Sequence, residues 1–223
     1  MEVTGKSDLM DAVKDISGST VAASQRIVVN ELLLKLESQN PTEAPATSPL
    51  LNGVWELVYS GGVADGILPS PTRQLALFLY AGGYGPGQFG LQVARMLPDT
   101  VVEVKDVVIT ITREQPRAMA ATGVTVGGTS VDLQLTSTLE TESDLRLRET
   151  YSKLTVSGRE IVPPEQLLYS RLLFVTYLDD DLLVVRDETG APEILFRKSK
   201  EFVTGESTGE PSFADDDLAP GAG

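Results

Sequence analysis

The chain has 223 residues, a formal net charge of −14, and neither His nor Cys. Without these two residue types it cannot form a disulfide, a thiolate or imidazole metal site, or a triad with a catalytic histidine. The acidic balance argues against nucleic acid as a partner, because duplex-binding surfaces need clustered Lys and Arg.

The N-terminal residues have the apolar spacing of helices. Residues 9–16 repeat apolar side chains at helical intervals, and a longer pattern follows over residues 20–37. The wide apolar stripe of the second pattern indicates packing against the body of a domain. We predict a helical segment over residues 1–39 that ends before Asn40-Pro41. The acidic, amphipathic N-terminus has the features of neither a signal peptide nor a transit peptide.

From residue 54 the apolar period changes to two, which is typical of β-strands. Gly127-Gly128 and the DETGAP stretch are turn signals between strands. Seven to nine strands with short connections indicate an antiparallel barrel or sandwich. The predicted strands lie at 54–60, 101–112 (one or two strands), 118–126, 129–140, 145–151, 174–178, 182–186 and 194–198.

Residues 61–100 interrupt the strand pattern with an apolar, Gly-rich insertion, predicted to contain short helices. Gly85 to Gly90 spells G-x-G-x-x-G, but it follows a predicted helix and contains Pro, so we favour a flexible turn over a nucleotide site. The aromatic and aliphatic side chains nearby either pack in the interior, which we favour, or form a lid or membrane-dipping flap. The candidate flap residues are Phe78, Leu79, Tyr80, Tyr84 and Phe89.

The acidic charge is concentrated at the C-terminus. From Glu201 onward there are six acids and no base, so residues 1–200 carry a net charge of only −8. We predict a domain over residues 1–203 and a disordered acidic tail over residues 204–223. The tail either solubilises the domain, which we favour, or binds a partner.

Two motifs near the ends of the domain resemble the plastid lipid-associated protein (fibrillin) family. NELLLKLESQNPTEAP followed by SPLLNGVWELVYS is similar to the family's opening helix and first strand, and TYLDDDLLVVRDETGAPEILFRK to its closing hairpin. Leu183 and Asp187 depart from the family pattern, where Arg and Gly are usual. The positions that match, and for which the resemblance implies a structural role, are Asn40, Pro41, Gly53, Trp55, Tyr177, Asp179, Asp181 and Arg186.

The resemblance implies a lipocalin-like β-barrel associated with plastid lipid. We therefore expect a non-enzymatic protein, peripheral to thylakoids or plastoglobules, that binds a prenyl-lipid, quinone or carotenoid. The alternative is an assembly factor that docks on a thylakoid membrane complex. The candidate residues for the barrel interior and for ligand contact are Trp55, Tyr59, Leu133, Leu135, Leu147, Tyr151, Phe174, Leu182 and Val184. For Trp55 and Tyr59 we favour core packing at the closed end of the barrel over direct contact with a ligand.

Three clustered carboxylates, Asp179 to Asp181, could hold a divalent cation or act as a general acid and base. We favour hydrogen bonds to backbone N–H groups or a pair with Arg186 instead, and we predict no metal, no cofactor and no catalytic residue. Arg146 and Arg148 share one strand face, which we assign to solvent in preference to a lipid headgroup site.

Overall fold

The computed structural model describes residues 5–14, 23–61, 102–104, 106–126, 128–162, 164–165, 168 and 170–199. The predicted insertion beyond Gly61 and the predicted acidic tail, residues 204–223, lie outside these ranges. The prediction of helices in the insertion and of disorder in the tail therefore stays a prediction.

Within the described N-terminal ranges, two helices precede the strands, as the apolar spacing predicted. Helix α1 spans Lys6–Lys14 and α2 spans Ala23–Glu37. Two 3-10 turns, Pro45–Thr47 and Pro49–Leu51, connect α2 to the first strand. Neither helix in the described ranges has the length and apolar character needed to cross a bilayer.

Ten strands follow in the described part of the chain, and two of them have only three residues each. Every strand pairing among the described residues is antiparallel. The strands are β1 Gly53–Ser60, β2 Val102–Val104, β3 Val107–Ile111, β4 Ala118–Val126, β5 Thr129–Thr141, β6 Arg146–Val156, β7 Arg159–Ile161, β8 Ser170–Leu178, β9 Leu182–Asp187 and β10 Pro192–Ser199.

Eight of the strands close into a barrel. The order around it is β4-β3-β1-β10-β9-β8-β6-β5, and β5 pairs again with β4. Strands β2 and β7 are short additions to β4 and β6. The predicted antiparallel barrel with N-terminal helices is therefore confirmed, and the first strand of the chain lies beside the last.

The two helices pack on the outer wall of the barrel, across β8, β9, β10 and β1. Apolar side chains from both helices and from these strands form one buried group, here called the helix cluster. Its strand residues alternate with inward-facing ones, so this part of the wall is apolar on both faces. The helix cluster contains Leu9, Val13, Val29, Leu33, Leu36, Tyr59, Tyr177, Leu182, Val184 and Ile194.

Three register shifts disturb the alternation of side chains in this wall. In the pairing of β1 with β10 they lie between Val54 and Trp55 and between Leu57 and Tyr59, and in the pairing of β8 with β9 between Val175 and Tyr177. Trp55 therefore faces the interior although Tyr59, four residues on, faces the helices. A bulge adds one residue to one strand and so reverses the face of every residue beyond it.

Candidate functional site

One end of the barrel interior is filled by a packed apolar group, here called the base cluster. It includes Trp55, fully buried, whose ring nitrogen donates to the Leu51 carbonyl oxygen at 2.9 Å. Ala46 and Leu51 from the two 3-10 turns belong to the same cluster, so the turns cover this end. The cluster contains Ala46, Leu51, Trp55, Ile111, Ala118, Leu139, Leu147, Leu173, Val175, Leu178, Leu183, Val185 and Leu195.

Charged side chains lie inside the barrel next to the base cluster. The Arg171 guanidinium donates to Glu149 from Nε at 2.7 Å and to Glu193 from Nη1 at 2.7 Å. Glu149 also accepts hydrogen bonds from Ser137 Oγ at 2.8 Å and from the Tyr151 hydroxyl at 3.1 Å. The three charged residues are each less than 10% exposed. We call Ser137, Glu149, Arg171 and Glu193 the polar belt.

The residues of the polar belt share the inward face of their strands with the base cluster. In each of β5, β6, β8 and β10 the belt residue is followed or preceded, two positions away, by a leucine of the base cluster. Residues two apart in a strand share a face, so the belt residues point into the interior, where Glu149 also lies opposite Arg171 in the pairing of β6 with β8. These leucines are Leu139, Leu147, Leu173 and Leu195.

Burial and the neighbouring carboxylates shift the pKa of Arg171 in opposite directions. Burial lowers the pKa of Arg171, but the Glu193 and Glu149 carboxylates outweigh it, so the pKa stands well above its ordinary value. Burial is also the largest cause of the raised pKa of Tyr151, with Arg171 opposing and Glu149 adding to the rise. The guanidinium therefore stays charged and the Tyr151 hydroxyl keeps its proton at neutral pH.

On the other side of the belt lies a second apolar group, here called the upper cluster. Leu135, Tyr151 and Leu154 are buried there. The rest of its side chains, from β4 to β7, are only partly buried: Ala120, Leu133, Val156 and Ile161. The interior is thus packed below the belt and less completely covered above it.

The predicted interior residues divide between the two faces of the wall. Five of the nine face inward: Trp55 and Leu147 in the base cluster, and Leu133, Leu135 and Tyr151 in the upper cluster. Their contact with a ligand stays a prediction.

The inward prediction was wrong for the other four residues. Tyr59, Leu182 and Val184 belong to the helix cluster on the outer wall. Phe174 alternates with Leu173 and Val175, which face inward, so it faces outward. Because the helices cover β8 to β10, the outer face of these strands is apolar, like the inner face. In β1, the bulge before Tyr59 turns its side chain to the outer face.

The candidate flap residues Phe78, Leu79, Tyr80, Tyr84 and Phe89 lie outside the described residues, as does the glycine-rich turn. Their role as a lid or membrane contact stays a prediction.

The predicted motif residues form a bonded corner where α2 meets the β8–β9 turn. Asn40 Oδ1 accepts from the Leu178 backbone N–H at 3.1 Å. Asp179 accepts from the Tyr177 hydroxyl at 2.7 Å, from the backbone N–H groups of Asp181 and Leu182, and from Lys6 Nζ at 2.6 Å. Asp179 thus holds the turn through backbone N–H groups, as we favoured, but its cationic partner is Lys6 instead of Arg186.

Gly53 and Arg197 form a second corner beside Trp55. Arg197 stacks 3.9 Å from the centre of the Trp55 ring and donates to the carbonyl oxygens of Leu50 and Asn52. A Cβ at Gly53 would lie 2.5 Å from Arg197 Nη1. Glycine at this position therefore makes room for the guanidinium under the tryptophan.

Within the described ranges no group of three or more His, Cys, Asp or Glu side chains could hold a metal ion. Arg146 and Arg148 both pair with Glu142 on the barrel exterior, and their side chains are 41% and 43% exposed. The solvent-facing prediction for these two arginines agrees with this placement.

The polar belt was not predicted from the sequence, although a signal for it was present. Glu149 falls on the apolar face of its strand, between Leu147 and Tyr151. Arg171 and Glu193 likewise stand two residues before an inward leucine. A charged residue in phase with buried apolar residues on three strands indicates an interior ion-pair network.

Residues 3–80 of the chain match the family model described as PAP_fibrillin. The chain is 25% identical to a protein of Arabidopsis thaliana named "Probable plastid-lipid-associated protein 9, chloroplastic", over 87% of this chain and 70% of that protein. It is also 25% identical to "Probable plastid-lipid-associated protein 13, chloroplastic" from the same plant, over 87% and 72%. A third relative, number 5 of that series, is 35% identical over 26% of each chain. No solved structure matches the chain.

Proposed function

We infer from the family-model match and the chloroplast relatives that this chain belongs to the plastid lipid-associated (PAP/fibrillin) family. On that premise we propose that it binds one small apolar lipid inside its barrel. The ligand class is a prenyl-lipid, quinone or carotenoid. The protein holds or sequesters this ligand in the plastid, at thylakoids or plastoglobules.

The observation that carries this proposal is the contrast between the two ends of the interior. Thirteen residues of the base cluster are buried and three partly buried side chains pack against them, whereas in the upper cluster three residues are buried and four are partly buried. Covering apolar surface with an apolar ligand is favourable by about 25 cal/mol per Å². An eight-stranded barrel is also the size that accommodates one small ligand.

A binding role without a chemical step fits the arrangement of the charged interior groups. Glu149, Arg171 and Glu193 bond to one another, which stabilises a fixed network. The relatives carry names that describe lipid association.

The experiment that tests the proposal is recovery of a bound lipid. The purified full chain is incubated with a chloroplast lipid extract, re-isolated by size-exclusion chromatography, and extracted for mass spectrometry. We expect one apolar lipid class to be enriched near one molecule per barrel. Recovery of no lipid above a protein-free control would overturn the proposal.

Two matched variants test whether the ligand lies inside the barrel. Ala120 faces inward in the upper cluster, and Ala121 is the next residue on the same strand, with the opposite face. Ala120→Phe should fill the space and abolish lipid recovery, whereas Ala121→Phe should leave it unchanged. Equal recovery from both variants would contradict an interior site.

The assembly-factor alternative makes the opposite prediction for the same experiment. A barrel that acts only as a docking platform would be recovered without lipid. It would also tolerate Ala120→Phe in any assay of complex assembly, provided that the variant still folds.

A further inference from the structure

We propose that the outer face of α2 docks on a lipid surface whose head groups carry no net charge. This face consists of Ile27, Val28, Glu31, Leu34 and Lys35, and we call it the α2 face. The inference rests on the part of the proposed function that puts the protein at thylakoids or plastoglobules, and it is independent of what the barrel interior holds. It assigns the contact to one helix and states the charge of the lipid.

The α2 face is apolar although it points away from the barrel. Ile27, Val28 and Leu34 are 60%, 48% and 66% exposed, and they are three of the five large apolar side chains that are exposed in the described ranges. Ile27 and Leu34 lie seven residues apart, so they follow one line along the helix with a spacing of about 10 Å. The inner side of α2 is buried in the helix cluster. A helix with apolar residues on both sides is normally covered on both, so the exposed side indicates a docking surface.

The neighbouring helix has the usual amphipathic pattern. The exposed residues of α1 are Ser7, Asp8, Asp11 and Lys14, which are all polar. Because α1 packs on the same wall as α2, its polar outer side shows that this position on the barrel does not itself require exposed apolar residues. The apolar outer side is a property of α2 alone.

A second copy of the chain fits the α2 face poorly. If two α2 helices pair antiparallel with each Ile27 against Leu34 of the other copy, the two-fold axis passes beside Glu31 and brings the two carboxylates together. A parallel pair has the same fault, and like charges at the centre of an interface oppose association. Three exposed apolar side chains per copy also fall far short of the roughly 20 residues that each side of a stable interface contributes.

A lipid surface fits the α2 face because it needs no matching groove. The three aliphatic side chains can enter the boundary between head groups and acyl chains, where interfacial helices place their apolar side. Glu31 and Lys35 are one turn apart, so the α2 face has no net charge. Their long side chains can keep their charged ends at the level of the head groups.

The charges around the α2 face determine the type of lipid. Together the exposed residues of the two helices include three acids, Asp8, Asp11 and Glu31, against two bases, Lys14 and Lys35. Recognition of anionic lipid surfaces uses clusters of about four to eight Lys and Arg. Attraction to anionic head groups is therefore lacking, and binding depends on apolar contact, which favours uncharged head groups.

The test is flotation of the full-length protein with vesicles of phosphatidylcholine, which carry no net charge, or of phosphatidylglycerol, which are anionic. We expect tighter binding to phosphatidylcholine. This binding should change less than about twofold between 0.01 M and 1 M salt, although the screening length falls from about 30 Å to about 3 Å. Absence of flotation with phosphatidylcholine, or tighter binding to phosphatidylglycerol that high salt removes, would overturn the inference.

Variants test whether the contact is made by α2. Ile27→Ser combined with Leu34→Ser should weaken binding to phosphatidylcholine vesicles about tenfold, because it removes most of the apolar contact. The matched control is Leu145→Ser combined with Val162→Ser, which changes two apolar residues that are 50% and 65% exposed outside the helices. Its binding should equal that of the wild type. Equal binding of the two double variants would contradict the assignment to α2.

Thermal unfolding shows whether the variants fold. Should the α2 double variant fail to fold, Leu34→Asn alone takes its place, and we expect about threefold weaker binding. Size-exclusion chromatography tests the second copy: a wild-type dimer that the α2 variant separates, without flotation, would assign the face to self-association and overturn the inference.

The recovery of lipid from chloroplast extract separates this inference from the proposed function. The α2 double variant should still yield the lipid, because the barrel interior is unchanged. Flotation without any recovered lipid would overturn only the interior site of the proposed function. Recovered lipid without flotation would overturn only the docking of α2.

Discussion

Glu37, the last residue of α2, and Arg186 on β9 form a two-contact ion pair across 149 residues of sequence. The guanidinium Nε lies 2.7 Å from Oε1, and Nη2 lies 3.0 Å from Oε2. The same carboxylate accepts the Thr176 hydroxyl on β8 at 2.7 Å. One side chain at the end of the helix thus ties it to two strands of the barrel wall.

We expect this pair to stabilise the docking of α2. Arg186→Ala should lower the free energy of unfolding by about 2 kcal/mol, because it leaves a half-buried carboxylate without its charged partner. A double-mutant cycle with Glu37→Gln should give a coupling energy of about 1–2 kcal/mol. The matched control is the exposed pair Lys153 and Glu160, for which we expect less than about 0.5 kcal/mol.

Replacement of Gly53 should disturb the stack of Arg197 on Trp55. Gly53→Ala puts a Cβ where the guanidinium lies and adds backbone strain at φ +142°, so we expect a loss of about 2–3 kcal/mol in urea unfolding. Since Trp55 is the single tryptophan of the chain, its emission should shift as well. Gly190→Ala, at a positive φ with open space, should cost only about 1 kcal/mol and leave the emission unchanged.

Asp179 should make the protein sensitive to acid. Burial raises the pKa of its carboxyl, but Lys6, the Asp181 backbone N–H and the Tyr177 hydroxyl outweigh it and hold the pKa below its ordinary value. The unfolded chain therefore binds this proton more readily, so the stabilisation is present above about pH 4 and is lost as the pH falls further.

The measurement for Asp179 is the free energy of urea unfolding at pH 6 and pH 3. Asp179→Asn should be less stable than the wild type at pH 6 but should lose less on acidification. Asp180→Asn, at the exposed neighbouring position, should follow the wild-type pH dependence. A parallel loss in Asp179→Asn and the wild type would refute the assignment.

The protein should lose more stability when Arg171 alone is removed from the polar belt than when all three charged residues of the belt are replaced. Arg171→Met leaves two buried carboxylates together, and we expect a loss of about 3–5 kcal/mol. Adding Glu149→Gln and Glu193→Gln removes both charges and should restore a large part of that loss. Chemical unfolding of the single and triple variants measures the difference, and a triple variant less stable than Arg171→Met would contradict this account.

The elements of the fold could be predicted from the sequence because their local signals are strong. Alternation over β5 and the turn signals at Gly128 and Gly190 gave strand positions close to the observed ones. The three-residue strands β2 and β7 carry too few residues for alternation to show. The choice between a barrel and a sandwich required the resemblance, since strand count alone fits both.

The side chains that face the barrel interior could not be predicted for strands that are buried on both faces. Leu182 to Val185 form an unbroken apolar run, which gives no period to decide which residues face inward. The bulge near Tyr59 changes the face within a strand, and a bulge depends on pairing with the neighbouring strand. By contrast, Glu149, Arg171 and Glu193 each lie two residues from an inward leucine. This spacing in the sequence is enough to identify them as interior residues.

The pairing of β1 with β10 has a consequence for how the chain folds during synthesis. The ribosome releases β1 about 140 residues before β10, and a pairing between strands so far apart in sequence forms slowly. Until β10 emerges, β1 has an unpaired edge that can associate with other nascent chains. A chaperone that shields the β1 edge would therefore act on this protein before the barrel closes.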